Sequence, residues 1–314
     1  MHCVEGITVP LRELHLRRNS FHRNTNFGAP FPHHPTGSQS FIWNRIEEFL
    51  HRDLSVDGDA LDAIGGIFEL HRELQGQPLD LLCGLPTLPT QDPFLGVEAK
   101  TASLAFALLW TDSPALTRRP GFPSWSWAGW KRDTRQDFRR FHVGSAGAVS
   151  PPVPRFFDTV IEAEVGDGRC LEWESHSSDL LRWPVSPRVL NISGWAFSSR
   201  ITYSTQRGRP GYTSAGWTYV SPPSLAGRPV DLPEVQFVQR EGASAMVLCL
   251  ILSRYFTFGS LSVGFISVQR REDDSCFERL SSEWVEIEGS WECDDHKSGR
   301  AGRIDLEWKT IRLG

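Results

Sequence analysis

The sequence predicts an α+β protein, with an N-terminal helical part of about three helices packed on a C-terminal antiparallel β-rich sandwich or partly open barrel. Apolar residues recur at helical spacing before Arg118. Beyond residue 130, β-branched and aromatic residues alternate with polar ones, and Gly, Pro or Ser clusters separate the alternating segments. A tryptophan-rich segment, residues 122–130, lies where the first pattern gives way to the second.

This change in pattern divides the chain of 314 residues into three regions. Residues 1–39 are polar and rich in turn-forming residues, which predicts an irregular, partly ordered segment. Residues 40–118 are expected to form the helical part. Residues 119–314 are expected to form a β-rich domain that begins with the tryptophan-rich segment. A chain of this length can bury one large core or two ordinary ones.

The first predicted helix has Ser40 as its N-cap and ends near Leu54, because apolar residues between these positions recur at helical spacing. Residues 97–110 predict a further helix, with apolar residues around most of its circumference. We expect that helix to be deeply buried. Repeated prolines in residues 78–93 predict a folded loop before it.

The predicted helix between these two begins at Asp57 or Asp59, where an acidic side chain suits the positive end of the helix dipole. Gly65 and Gly66 in its middle each destabilise a helix by about 1 kcal/mol relative to alanine, so we expect close packing against another element there. The apolar face of this helix is expected to consist of Leu61, Ile64, Ile67, Phe68 and Leu74.

Strands are predicted where alternating segments are rich in β-branched and aromatic residues. They cover residues 160–165, 189–203, 235–239, 245–255, 261–269, 284–287 and 304–313. Residues 205–233 are expected to be a long connection, and residues 131–143 a charged, solvated hairpin or loop.

Composition and charge limit the possible functions. A formal net charge of -5 and a pI near 6.1 lack the basic excess of a nucleic-acid-binding protein. The cysteines match no disulfide framework, so free thiols are expected. The N-terminus lacks the pattern of a secretory signal, and the longest apolar run, residues 104–110, is too short to cross a bilayer. We expect a soluble cytoplasmic or nuclear protein that binds neither nucleic acid nor membrane.

The tryptophan-rich segment is expected to be either an anchor within a core or an exposed stacking platform. In an extended backbone, Trp125 and Trp127 would project to one side and the small residues beside them to the other. Gly129 would permit a sharp exit or a close backbone approach. The position between helical and β-rich parts favours the anchor. This segment, called the tryptophan motif below, consists of Phe122, Pro123, Ser124, Trp125, Ser126, Trp127, Ala128, Gly129 and Trp130.

Several blocks of the sequence resemble fungal heterokaryon incompatibility (HET) domain proteins. The most specific block is the string Ser-Trp-Ser-Trp-Ala-Gly-Trp within the tryptophan motif. The final residues 309–314 are similar to a closing strand of that family. The helix motif of the resemblance includes Asp59, Leu61 and Ile64. The blocks are residues 43–49, 59–67, 83–86, 108–110 and 119–130.

The resemblance implies a fungal protein of non-self recognition and programmed cell death, which signals by contact with a protein partner and is not an enzyme. In that family an opening block, likened to Toll/interleukin-receptor folds, precedes the blocks named above, and residues 1–40 do not match it. We therefore expect a truncated protein or fragment. It would comprise the C-terminal end of a HET domain and the β-rich region that follows.

The motifs of the chain predict no catalytic residue, no cofactor and no metal site. His33 and His34 lie in a proline-rich loop without further ligands nearby. Residues 293–296, Cys-Asp-Asp-His, with Cys276 upstream, lack a fourth ligand. We found neither a glycine-rich phosphate loop nor a nucleophile elbow.

Two alternative functions remain open. One is a tryptophan-rich carbohydrate-binding β-module whose exposed rings stack on sugars, although large aromatic side chains more often anchor cores. The other is an enzyme that uses the acidic cluster near Asp59. That enzyme would require Asp57, Asp59 or Glu69 in a concave pocket with a histidine such as His71.

Overall fold

A computed structural model describes the chain in separate ranges from Gln39 to Gly314, which together belong to one compact unit. The described residues are 39–50, 52, 54–75, 80–87, 99–111, 116–132, 142–143, 159–182, 186–207, 213–221, 225–226, 229–230, 242–257, 260–271, 276–288, 291–292, 298–301 and 304–314. The strand predicted at 235–239 and the candidate ligands at 33–34 and 293–296 lie outside these ranges.

The described helices are α1 (Gln39–Leu50), α2 (Ala60–Gln75), α3 (Ala99–Ala107) and α4 (Trp173–Arg182). Ser40 lies within α1 and is not its N-cap, because the helical backbone already includes Gln39. The helix ends at Leu50, before the predicted Leu54, and Arg52 N donates to Phe49 O (2.9 Å) in a tight turn at this end. A 3-10 turn, Asp57–Asp59, precedes α2, so the helix predicted to begin at Asp57 or Asp59 begins at Ala60, directly after these residues. No helix in the described ranges is long and apolar enough to span a membrane.

The two central glycines of α2 are not explained by packing. An ideal Cβ built on Gly65 or Gly66 meets no atom within 4 Å. Gly66 and Glu69 are exposed, whereas Ile64 and Phe68 are buried. The expectation of close packing at the glycines is therefore wrong, because this stretch has open space where their side chains would be.

The strands cover most of the predicted segments and several others. They are β1 (Asp80–Leu82), β2 (Leu85–Thr87), β3 (Trp110–Thr111), β4 (Leu116–Arg118), β5 (Trp130–Arg132), β6 (His142–Val143), β7 (Val160–Glu164), β8 (Cys170–Glu172), β9 (Val189–Arg207), β10 (Thr213–Tyr219), β11 (Pro229–Val230), β12 (Ser244–Thr257), β13 (Ser260–Arg270), β14 (Phe277–Glu288), β15 (Trp291–Glu292), β16 (Ser298–Ala301) and β17 (Ile304–Leu313). The loop predicted at 78–93 contains the hairpin β1–β2, and the connection predicted at 205–233 contains β10.

The C-terminal part contains a large mixed sheet, so the chain is α+β as predicted. Five strands form a ring of hydrogen-bonded neighbours in the order β9-β12-β13-β14-β17. At β9 the ring closes, because Ala196 pairs with Leu250 of β12 on one side and with Glu307 of β17 on the other. Only β14 and β17 are parallel, at Phe277 and Leu313. A ring of antiparallel pairs needs an even number of strands, so this ring of five cannot be purely antiparallel, and the prediction of an antiparallel sheet is wrong at this pair.

Two hydrophobic cores occupy the two faces of these strands. Tyr219 on β10 reaches Ser267 on β13 (2.9 Å between the hydroxyl oxygens), although β9 and β12 lie between those strands. These side chains therefore point to the concave face. The inner core on this face consists of Trp195, Phe197, Ile201, Tyr219, Leu225, Val247, Cys249, Ile251, Val263, Phe265, Leu280, Val285, Ile304 and Leu306. The outer core joins the other face to α1–α4 and the tryptophan motif. Within it, α3 is deeply buried, as predicted.

Candidate functional site

The tryptophan motif is a turn rather than a continuous strand. Ser126 is extended (φ -86°, ψ 140°), and Trp127–Gly129 form a 3-10 turn. The Ser126 hydroxyl caps this turn by accepting a hydrogen bond from Ala128 N (3.0 Å). The predicted alternation of side chains between two faces therefore does not continue beyond Ser126. Gly129 provides the predicted close approach, because a Cβ at this position would overlap the Pro123 carbonyl.

The three indoles of the motif are buried and donate to backbone carbonyls. Trp125 and Trp127 are 0% exposed, and Trp130 is 1% exposed. Trp127 Nε1 donates to Gly84 O (2.7 Å), and Trp125 Nε1 donates to Arg188 O (3.2 Å). Each bond satisfies a polar group that burial would otherwise leave without a partner. This burial agrees with an anchor and not with an exposed platform.

Other described tryptophans are also buried. Trp110 Nε1 donates to Trp125 O (2.9 Å), which adds a fourth indole to the same cluster. Every tryptophan whose side chain is described is buried except Trp308, which is partly exposed. Trp308 packs edge to face on Trp195, with ring centroids 5.5 Å apart. The described tryptophans therefore form no contiguous exposed platform for a sugar.

The motif packs against a tight hairpin turn. Cys83 and Gly84 connect β1 and β2, and both have positive φ (48° and 85°), as the central residues of a type I′ turn require. The Ser126 hydroxyl donates to Cys83 O (2.5 Å). A Cβ at Gly84 would lie 2.6 Å from Leu61 Cδ2 and 3.0 Å from the Trp127 ring. Glycine is therefore required here by backbone conformation and by space.

Arg118, which lies shortly before the motif in sequence, stabilises the loop that contains the motif. Its guanidinium donates to the carbonyl oxygens of Arg119 (2.9 Å), Phe122 (2.8 Å) and Gly129 (2.7 Å). It also forms an ion pair with Glu278 on β14 (2.8 Å). A multidentate donor of this kind holds several loop carbonyls at once, in addition to the backbone bonds that Gly129 O and Arg119 O accept.

Arg119 links the motif to the start of α2. Its side chain is 2% exposed and donates to Trp130 O (2.6 Å) and to Asp57 Oδ1 (3.3 Å). Lys131 donates to the other Asp57 oxygen (2.9 Å). The hydrogen bond from Lys131 is the largest cause holding the pKa of Asp57 below its usual value, and Arg119 acts in the same direction.

The acidic residues near Asp59 are spread over the start and surface of α2. Asp59 and Glu69 are exposed, whereas Asp57 forms ion pairs with Arg119 and Lys131. The side chain of His71 lies outside the described residues. Ile64 of the helix motif is fully buried in the outer core. The positions of Asp57 and Asp59 fit the expected role of acids at a helix start.

Arg279 on β14 is a buried cation of unusual environment. The residue is 2% exposed, and its guanidinium carbon lies 3.8 Å from the centroid of the Trp110 ring. It donates to Trp110 O and to Ser282 Oγ (3.2 Å), and its Nε has no hydrogen-bond partner. No carboxylate of the described residues pairs with it. Burial lowers its pKa to about 9, which leaves the side chain charged at neutral pH.

The described cysteines are free thiols, as predicted. Burial raises the pKa of Cys83 and of Cys249 to about 12. Neutral buried thiols are poor nucleophiles and poor metal ligands. Among the described residues no group of histidine, cysteine and acidic side chains is placed to hold a metal ion. Cys276 is buried and accepts a hydrogen bond from Arg312 (3.3 Å).

Sequence reasoning identified the indoles of this site and missed the groups that hold them. The turn at Cys83 and Gly84 carries a usable signal, because a glycine between two short apolar segments is typical of a hairpin. Arg118, Arg119 and Arg279 carry no local signal, since most of their partners are backbone carbonyls, which any residue type can supply.

No family model, no curated protein and no solved structure matches the chain.

Proposed function

We propose that the chain is a HET-like fungal protein or fragment, which acts in non-self recognition and cell-death signalling through contact with a protein partner. The observation that carries this proposal is the meeting of the resembling sequence blocks in one cluster. These blocks are separated along the chain, and a shared packed cluster gives them a common structural role.

The first, third and fourth blocks contact the motif directly, and the helix motif packs on the β1–β2 turn beside it. Phe49 from the first block packs edge to face on Trp127, with ring centroids 5.8 Å apart. Cys83 and Gly84 from the third block accept hydrogen bonds from the motif. Leu61 from the helix motif lies against Gly84. The resembling blocks therefore meet in a single anchor, which is held by hydrophobic contacts and hydrogen bonds.

The final block also reaches the motif. Ser124 N donates to Gly314 O (3.1 Å), at the end of the segment that is similar to a closing strand. The three indoles of the motif are buried, so they fix the fold and leave recognition to the surface. Burial raises the pKa of the Cys83 and Cys249 thiols, and Asp57 is ion-paired, so these groups do not favour a catalytic role.

Inducible expression in filamentous fungi of several incompatibility backgrounds tests this proposal. We expect colony-forming units to fall in at least one background, and a co-purified protein partner from that strain. Trp127→Ala, which removes the central anchor, is the matched inactive control, and immunoblots verify that both chains are produced. Unchanged viability in every background, with folded wild-type protein present, would refute the proposal.

A further inference from the structure

One face of the sheet carries a row of charged and polar side chains. Strand β8 pairs with β7, β7 with β9, and β9 with β17. Glu172, Glu162, Asn191 and Arg312 are opposite one another in this order, so their side chains lie on the same face. Glu172 is exposed, and the other three are partly exposed. We call this row and two further β7 residues the acidic face: Val160, Glu162, Glu164, Glu172, Asn191 and Arg312.

Arg312 neutralises one of the three glutamates on this face. Its Nε and Nη2 donate to the two carboxylate oxygens of Glu164, each over 2.9 Å. Its Nη1 donates to Cys276 Sγ (3.3 Å). The acidic face therefore already binds one arginine through a paired carboxylate–guanidinium contact, which is the strong geometry for such ions.

The other two glutamates form a like-charged pair. Glu162 and Glu172 are direct cross-strand neighbours, so their Cβ atoms are about 5 Å apart. In the described part of the chain, no lysine, arginine or histidine forms an ion pair with either carboxylate. Glu172 accepts one hydrogen bond, from Ser175 Oγ (2.9 Å). Like charges in this position destabilise a sheet, and a cation between the two carboxylates would remove the repulsion.

An exposed apolar side chain lies beside this pair. Val160 is 41% exposed and lies two residues before Glu162 on the same face of β7. Two residues of a strand span roughly 6.6 Å, a distance that the extended side chain of an arginine covers. Arginine places its aliphatic stem on apolar surface while its charged head contacts polar partners. Val160 and the glutamate pair therefore match the two parts of an arginine side chain.

We propose that the acidic face is the docking surface for the protein partner and binds an arginine of that partner. The guanidinium bridges Glu162 and Glu172, and its stem covers Val160. Arginine fits better than lysine, because its planar fork donates hydrogen bonds in fixed directions to carboxylates. The ion pair of Glu164 and Arg312 on the same face has this chemistry. The inference rests on the proposed function, since it assigns the surface that contacts the partner.

Titration of the wild-type protein with two synthetic peptides tests the binding of arginine. One peptide alternates valine and arginine, and the other has lysine in place of each arginine. We expect the arginine peptide to bind at least about fivefold more tightly in low salt, and to shift the NMR signals of Glu162 and Glu172. Equal affinity for the two peptides, or signal shifts confined to other residues, would overturn the arginine site.

Two double variants, Glu162→Gln/Glu172→Gln and Glu73→Gln/Glu307→Gln, form a matched pair. Both remove two negative charges, but Glu73 is exposed on α2, and Glu307 is 67% exposed on the other face of β17. We expect the arginine peptide to bind at least about tenfold more weakly to the first variant and with wild-type affinity to the second. The first variant should fold, because it removes a repulsion, and its urea midpoint verifies this. Equal losses in the two variants would show attraction by net charge alone and would overturn the site.

The same variants separate this inference from the proposed function. In the fungal assay, Glu162→Gln/Glu172→Gln should leave viability unchanged and lose the co-purified partner, whereas Glu73→Gln/Glu307→Gln should act as wild type. If Glu162→Gln/Glu172→Gln lowers viability as much as wild type, the proposed function stands and the docking surface is wrong. If the wild-type chain has no effect in any background, the proposed function fails, and the peptide titration still decides whether the acidic face binds arginine.

Discussion

In the outer core, buried indoles donate hydrogen bonds to loop carbonyls, whereas in the inner core aromatic rings contact one another. Trp127 in the outer core is bonded to Gly84 O. Inside the ring, Phe265 packs edge to face on Phe197, with centroids 5.3 Å apart, and on Tyr219 at 6.3 Å. The outer core thus relies more on directional bonds, although Phe49 also packs on Trp127, and the inner core relies more on ring contacts, although Tyr219 also bonds Ser267.

The difference follows from the backbone that each core must bury. The strands of the ring satisfy their own N–H and C=O groups in ladders, so their side chains need only fill space. The motif, the β1–β2 turn and the segment at Arg188 have few ladder bonds, and their carbonyls would be unsatisfied without side-chain donors. Irregular backbone can be buried here because tryptophan and arginine combine a large contact area with an N–H donor.

The largest expected effect is at Trp127. Trp127→Ala should lower the free energy of unfolding by about 3–5 kcal/mol, because it leaves a cavity and removes the donor to Gly84 O. Urea unfolding followed by circular dichroism measures the change. Trp127→Phe separates the two causes by keeping most of the ring. If Trp127→Phe is as stable as wild type, directional bonding is not what distinguishes this core.

Gly84→Ala should be the next most destabilising. A side chain there must adopt positive φ and would meet Leu61 and the Trp127 ring, which together predict a loss of about 2–4 kcal/mol. The test is a urea midpoint compared with that of Gly129→Ala, where a Cβ overlaps the Pro123 carbonyl but φ is not positive. A neutral Gly84→Ala would contradict the tight fit of the turn against the motif.

The inner core should tolerate a change of shape better. Phe265→Leu keeps an apolar side chain of similar size and breaks no hydrogen bond, so we expect a loss of about 1–1.5 kcal/mol. Thermal unfolding of this variant beside Trp127→Phe compares the cores with conservative changes in both. A larger loss for Phe265→Leu than for Trp127→Phe would reverse the comparison.

The sequence predicted the elements whose apolar pattern is local. The start of α2 directly after Asp57–Asp59, the burial of α3 and the strand at Ile304–Leu313 all follow from spacing within a few turns or residues. Helix α4 was missed although its buried residues Trp173, Ser177 and Leu180 recur at helical spacing. Its contacts are distant in sequence: Trp173 Nε1 donates to Lys100 O (3.1 Å), and Glu174 accepts from Thr101 N (2.8 Å) at the start of α3.

The candidate site was predictable in its residues but not in its partners. Three tryptophans where two periodicities meet indicated a buried anchor, and Trp125 and Trp127 are buried. The parallel pair that closes the ring depends on strand order, which no local pattern encodes. Arg279 gave no signal, because a single arginine in a strand is ordinarily assigned to the solvent face.

A substitution on the surface of α2, outside both cores, is expected to stabilise the protein. Gly66→Ala in α2 should raise the free energy of unfolding by about 0.5–1 kcal/mol, since alanine favours the helix and a Cβ meets no atom within 4 Å. Gly65→Ala should act in the same direction. Chemical denaturation measures both, and destabilisation by either would show that α2 packs more closely there than the described contacts allow.

The smallest expected effect concerns the ion pairs that join α2 to the motif. The pKa of Asp57 is lowered in the folded protein, chiefly by the hydrogen bond from Lys131, so its carboxylate stabilises the fold above the unfolded pKa of about 4 and loses this effect as pH falls through the folded pKa. Because the side chain is 41% exposed, solvent screening limits the effect at neutral pH to under about 1 kcal/mol. Asp57→Asn should therefore be slightly less stable than wild type at neutral pH, and the difference should vanish in strong acid. Urea midpoints measured across that range, with Asp59→Asn as the exposed control, test the sign; a difference that grows as pH falls would show that Asp57 does not link α2 to the motif through its charge.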